Sequence, residues 1–427
     1  MREVDPRDVG DDAEIIASEE CVRGLVARLA NLRDGPDAIP EIVALGRAAI
    51  PALENFLRGP SQALHHSRVL AADALAAIGG EEACAALIRS LRDSIARQPM
   101  PLAREAEDVV VSRIADHLHR FRGPSVVEAL LDALRARPYP ACARVLGEFG
   151  DRRAVPLLIE CLSEDAAREA AMWSVRRFGA FAREPLRDFL NSPRITDGME
   201  PPSRIDGRAA AATLLADFRD RAALESVLDD TQRPVRLAAA VGLVECGGRV
   251  DRRTLDTLLQ GLDEPDWMRA EAIMGALERS REPVAPALLE ILDQSSADAA
   301  GLRRQRRAAE LAARMNLGQA RPRLMALYDA ADPALRLAAV DALARIDGTE
   351  PRHLAPFLGD DRIGVALQAL AAMRRHGVVH LRDLVTEIGR VPGGKSSPGR
   401  WRRTLHLLVA ERWVQARRCN RPVGNAR

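Results

Sequence analysis

The chain has 427 residues, of which 47% are hydrophobic and only 3% aromatic, with Lys+Arg 62 against Asp+Glu 61 and a net charge of +1. This length exceeds one ordinary core and points to two or three domains or one long array of close-packed helices; the apolar content excludes a disordered chain. The balanced charge excludes a global basic field for nucleic acid and leaves local patches open.

Taken in order, the chain opens on an acidic segment (Glu3, Asp5, Asp8, Asp11, Asp12) without the basic and apolar regions of a signal peptide. Residues 1–12 are expected to be disordered and 13–37 to form a capping helix. A repeated pattern begins at residue 38. Arg68 is followed at fixed offsets by Ala71, Ala72, Ala74, Leu75 and Ile78, then by Gly79. The same offsets recur after Arg168, Arg208, Arg236 and Arg336, with weaker copies around Ile114, Cys142, Met268, Ala308 and Ala366. The apolar offsets form one helical stripe, and glycine just past the stripe stops a helix.

Ten such helices are predicted, about 33 residues apart, a period typical of helical solenoids. A leucine-rich helix precedes each one, several with proline in the first turn (Pro51, Pro156, Pro286, Pro322), where a missing N–H costs nothing. The unit is then a helical hairpin that must stack on its neighbours to bury its apolar face. Two connections are long, from Asp93 and from Asn191; the second is rich in Pro, Gly and Asp and reads as a loop. The array is expected to run to residue 377. Residues 378–418 are predicted to form a capping hairpin sealed by Trp401 and Trp413, and 419–427 a basic tail. Lys395, the only lysine, stands in a Gly-Ser loop of that hairpin. Nine cations and one acid lie between Lys395 and Arg427.

These residues resemble HEAT-like repeats of the PBS-lyase type over roughly residues 38–376. The family pattern places an aspartate in the turn and a Val-Arg pair at the start of the second helix. Asp230 with Val235-Arg236, Asp263 with Met268-Arg269, and Asp332 with Leu335-Arg336 follow it. The resemblance implies an all-α, right-handed α-solenoid of about ten hairpins with terminal capping helices. It further implies that Arg68, Arg168, Arg208, Arg236, Arg269 and Arg336 form a structural ladder with aspartates of neighbouring repeats. Tyr139 and Ile363 replace the arginine in two repeats, where the ladder is expected to break.

In such solenoids the second helices line the concave face. The fifth and ninth residues after each arginine then form an exposed ridge. It comprises Asp73, Asp116 with Arg120, Arg144 with Glu148, Trp173 with Arg177, Thr213 with Asp217, Val241 with Glu245, Glu310 with Arg314, and Asp341 with Arg345. Four of these are opposite charges one helical turn apart, which neutralise themselves. A nucleic-acid cradle would show unopposed cations instead. Trp173 with Arg177 joins two residue types enriched at binding hot spots, and Asp217 and Glu148 flank it. Packing under the Asn191 loop is the alternative for Trp173. Trp267, in a turn after Pro265, is expected to be packed. Arg303, Arg307 and Arg314 form a basic stripe that could meet an acidic partner.

Other chemistry finds little support. Gly389 to Ser396 satisfies the phosphate-loop pattern but follows a helical segment where a strand is required. No His-Glu dipeptide occurs, whereas dinuclear-iron hydroxylases on HEAT-like repeats rely on repeated ones. Six cysteines without a CxxC pair argue against a zinc cage or disulfide framework and suit a reducing cytosol. No apolar run approaches the roughly 20 residues of a membrane span. The expected function is a cytoplasmic, non-catalytic scaffold holding a protein or peptide on the concave face, with no cofactor or metal. The alternatives are an enzyme on the same scaffold, resembling bilin lyases or alkylpurine DNA glycosylases, and nucleic-acid binding through Arg303–Arg314 and the basic C-terminus. Trp173 and Asp217 would be the glycosylase pair.

Overall fold

The computed structural model describes residues 19–376 apart from 32, 60–64, 98–100, 197, 248–249 and 281–283, and gives 101–103 as backbone only. The expectations for residues 1–12, the hairpin 378–418 with Lys395, Trp401 and Trp413, and the tail 419–427 lie outside the described residues. Residues 19–27 are helical. Helix α1 (Gly35–Ala44) runs across the 37/38 boundary expected for the cap.

Ten helical pairs follow among the described residues: α2 (Ile50–Leu57) with α3 (His65–Ile78), α4 (Gly80–Ala96) with α5 (Pro101–Leu118), α6 (Pro124–Ala136) with α7 (Pro140–Phe149), α8 (Val155–Glu160) with α9 (Arg168–Phe178), α10 (Arg183–Leu190) with α11 (Pro202–Asp217), α12 (Arg221–Glu225) with α13 (Arg233–Glu245), α14 (Arg252–Gln260) with α15 (Trp267–Arg279), α16 (Ala285–Asp293) with α17 (Ala299–Arg314), α18 (Arg321–Ala326) with α19 (Pro333–Arg345), and α20 (Pro351–Leu354) with α21 (Ile363–Arg375). The odd-numbered helices from α3 onward are the ten second helices. The chain forms two compact units, Met1–Gly242 and Leu243–Arg427, whose boundary falls inside α13. Each is an all-α stack of helical hairpins. The described residues contain no sheet; a single bridge pairs Thr196 with Met199.

Local chemistry sets the helix ends. Pro51, Pro156, Pro286 and Pro322 stand in first turns, as predicted. The side chains of Asp251, Asp266, Asp298 and Asp332 accept backbone N–H groups at the starts of α14, α15, α17 and α19. Such caps contribute about 1 kcal/mol each. Gly150 ends α7 with φ of 70°, a left-handed turn that glycine adopts without steric cost.

The predicted stripes form the core. Leu75, Val175, Leu214, Leu215, Val340 and Leu343 have no exposed surface. Burying one such side chain stabilises by about 1.5–3 kcal/mol. The long connection after Asp93 is mostly helix: α4 continues to Ala96 and α5 starts at Pro101. Its length goes into longer helices, because DSIA keeps the periodicity of the segment before it. The described residues after Asn191 form a loop as far as Pro201.

Candidate functional site

Two small residues bring α7 and α9 together. A Cβ on Gly147 would come within 2.8 Å of the Ser174 Cα, so only glycine allows this approach. Ser174, fully buried, donates from Oγ to the Ala143 carbonyl at 2.9 Å. The short separation brings the Gly147 carbonyl within reach of Arg177, whose Nε donates to it at 3.2 Å. The guanidinium then lies 4.9 Å from the centre of the Trp173 ring. Trp173 is 40% exposed. In the Asn191 loop, Arg194 reaches Glu160 on the first helix α8, at 2.7 Å. One turn of chain beyond α9, Arg152 lies over the exposed ring of Phe181, 3.4 Å from its centre. Sequence reasoning passed over that second pair, because its members come from different repeats.

The structure brings Trp173 and Arg177 together and gives the flanking acids other partners. Asp217 accepts from Arg176 Nε at 2.7 Å, and Glu148 lies 3.7 Å from Arg144. Arg144 also pairs with Asp116 of the preceding second helix. Arg113 and His117 of α5 reach Asp73 of α3, at 2.5 and 2.6 Å. Burial alone would raise the Asp73 carboxyl, but hydrogen bonds from His117 and Arg113 outweigh it and hold the group below its ordinary value. In the second unit, Arg314 grips Glu271 of α15 at 2.6 and 2.9 Å and Glu310 at 2.7 Å. Asp341 accepts from Gln368 of α21. Of the four predicted intrahelical pairs, Arg144–Glu148 and Glu310–Arg314 form; Asp116 and Asp341 turn to the neighbouring helix instead. The exposed pairs among these, such as Arg176–Asp217 and Arg144–Asp116, contribute about 0–1 kcal/mol each, so their main effect is a neutral surface.

The basic stripe of α17 is used internally. Arg303 Nε donates to the Asp263 carbonyl and Arg307 to the Leu262 carbonyl, both at 2.9 Å. These contacts cap the helical segment that follows α14. Arg303, Arg307 and Arg314 therefore do not act as one free patch.

The ladder arginines divide. Arg208 joins Asp230 of the next repeat, and also Glu200 from the long loop at 2.9 Å. Arg336 holds Asp360 of the next repeat at 2.6 and 3.0 Å. Arg68, 1% exposed, grips Glu107 of α5 at 2.6 and 2.8 Å rather than a turn aspartate. Arg168 pairs locally with Asp165 at 2.6 Å, and Arg236 donates to the Asp230 carbonyl at 2.6 Å. Arg269 is exposed at the start of α15. Tyr139, at the arginine offset, is buried beneath Arg137, and burial pushes its hydroxyl up to about 12. Trp267 is 71% exposed, against the expectation of packing, because it opens α15 in an exposed first turn, with Met268 and Arg269 exposed beside it.

Burial raises the thiols of Cys142 and Cys161, the latter to about 12, which makes both poor nucleophiles. Among the described residues no cluster of three His, Cys, Asp or Glu side chains is placed to hold a metal. No described helix is long and apolar enough to cross a membrane.

A model of the PBS lyase HEAT-like repeat matches residues 67–93 and 141–164. A search of characterised protein sequences gave no match. Among solved structures, a mutant of Kap121p is 13% identical with a TM-score of 0.52, over 91% of this chain and 48% of that one. The chain thus spans about half the length of that relative. An engineered protein is 18% identical with a TM-score of 0.31, over 84% of this chain and 95% of that one. Human deoxyhypusine hydroxylase in complex with glycerol is 20% identical with a TM-score of 0.24, over 71% of this chain and 98% of that one. The first likeness supports the fold; the other two, at such TM-scores, add nothing to it.

Proposed function

We propose that this HEAT-repeat-like α-solenoid is a non-catalytic scaffold that binds a protein or peptide through its second helices, with Trp173 and Arg177 as the anchor. The observation that carries the reading is an exposed tryptophan under a guanidinium that, among the described residues, hydrogen-bonds to a carbonyl and to no carboxylate. Around it, Arg176 and Asp217 are tied to each other, as are Arg144 and Asp116. A partner that covers the indole gains apolar burial, and a carboxylate that reaches Arg177 gains a charge-assisted bond. A preformed helical surface loses little entropy on ordering. The neutral pairs on either side favour protein over a nucleic-acid strand. Kap121p, the relative with the same fold, is a karyopherin solved in complex with Ulp1p and with RanGTP. Binding of a protein partner by this chain is our extension of that likeness.

The test is a tagged pull-down after nuclease treatment, with the captured protein identified and then rebound in purified form. Trp173→Ala/Arg177→Ala should weaken rebinding by about tenfold or more, the loss typical of a hot-spot pair. Equal affinity for wild type and double variant would overturn the anchor. A catch that disappears with nuclease would move the function to nucleic acid.

A further inference from the structure

A different cationic feature lies in the second unit, where α17 faces α19. A pocket of about 240 Å³ opens there, lined by Arg306 and Arg307 of α17 and Arg345 of α19, with Glu310 and Asp341 on its walls. Among the described residues, none of the three guanidiniums forms an ion pair. Arg306 donates to the Leu302 carbonyl at 3.3 Å and Arg307 to the Leu262 carbonyl at 2.9 Å. Both carboxylates already hold other donors: Glu310 takes Arg314 at 2.7 Å, and Asp341 takes Gln368. The remaining wall is alanine, Ala338 among them, so no side chain fills the slot.

Burial lowers the Arg307 guanidinium from its ordinary value, and Arg303 adds repulsion. A guanidinium stays protonated regardless, so its charge sits under-solvated and gains from an anion. Three forked donors around one small space suit an oxyanion with three terminal oxygens better than a carboxylate with two. A nucleic-acid strand would need unopposed cations continuing in a row. Here the row does not continue: Arg314 is held by Glu271, and neither Arg314 nor Arg303 lines the pocket. The geometry points to a phosphate-monoester site between α17 and α19, with Arg306, Arg307 and Arg345 as the donors. The site is separate from the Trp173 anchor and does not depend on it.

The test uses the full chain and inorganic phosphate as probe, titrated by calorimetry at fixed ionic strength with chloride as control. A short peptide is then compared in its phosphoserine and unmodified forms. Phosphate should saturate where chloride does not. Arg345→Gln should weaken it by about tenfold, the loss of one charge-assisted donor set, while Arg345→Lys retains part of the affinity. Arg345 is exposed, and its variants should keep the wild-type helical circular dichroism. A phosphopeptide tighter than phosphate would assign the site to a displayed phosphate; equal affinity would assign it to a free one. No saturation, or equal affinity in Arg345→Gln, would overturn the site. So would a single-stranded oligonucleotide that binds tighter than phosphate and shows the same loss. Trp173→Ala/Arg177→Ala should leave phosphate binding unchanged, which keeps this result apart from that of the anchor.

Discussion

The first and seventh hairpins carry the same arginine at the same offset and bury it to opposite extents. Arg68 is buried between repeats, donating to the Leu57 carbonyl at 2.8 Å and clasping Glu107. Arg269 lies at the surface. The Leu262 and Asp263 carbonyls, just before α15, receive Arg307 and Arg303 from the following second helix. The neighbouring residues follow suit: Ser67 is buried before Arg68, whereas Met268 is exposed before Arg269. The first helices α14 and α16 of the same region leave a groove of about 880 Å³ between them. The comparison teaches that an offset in a repeat marks a position, and the packing around that position decides whether the arginine there is buried.

The sharpest way to break this comparison is to remove each arginine. Arg68→Ala leaves Glu107 charged, buried and without its main partner, and should cost about 3–5 kcal/mol in urea unfolding. A loss under about 1 kcal/mol would mean that the buried pair does no more than a surface one. Acid should act in the same direction through the same group. Burial alone would raise the Glu107 carboxyl, but hydrogen bonds from Arg68 and Ser94 hold it below its ordinary value. Its contribution is therefore complete above the unfolded value of about 4.3 and is lost as pH falls through the lower folded value. Urea midpoints measured from pH 7 to pH 3 should drop more steeply for wild type than for Glu107→Gln; parallel curves would remove Glu107 from the account. The smallest effect is expected in the seventh hairpin, where Arg269→Ala should change stability by no more than about 0.5 kcal/mol. A cost approaching that of Arg68→Ala would erase the distinction between the two hairpins.

The hairpin array was legible because its signal is local. The stripe after Arg68, Arg168, Arg208, Arg236 and Arg336 lies on one helix each, and one helix is what spacing describes. The meeting of Trp173 with Arg177, four residues on, was legible for the same reason. Contacts between helices were not. Glu107 stands 39 residues from Arg68, and Asp217 stands 41 from Arg176. Which of many arginines meets which acid depends on how closely two helices cross, and that turns on small residues such as Gly147 and Ser174. The basic stripe of α17 looked like a single surface for the same reason. Its carbonyl partners, 40 and 45 residues away, have no side-chain signature in the sequence.

The clasps between second helices have a mechanical consequence. Asp73 with Arg113, Arg176 with Asp217, and Glu271 with Arg314 each link one hairpin to the next at a partly exposed seam. Each hairpin within a unit leans chiefly on its immediate neighbours. Tension along the direction of stacking therefore loads these clasps in series, and each is weak alone. A unit stretched in this way should open seam by seam in small reversible steps and recoil as the pairs re-form, so that its surface can lengthen to fit a bound partner while the hairpins stay folded.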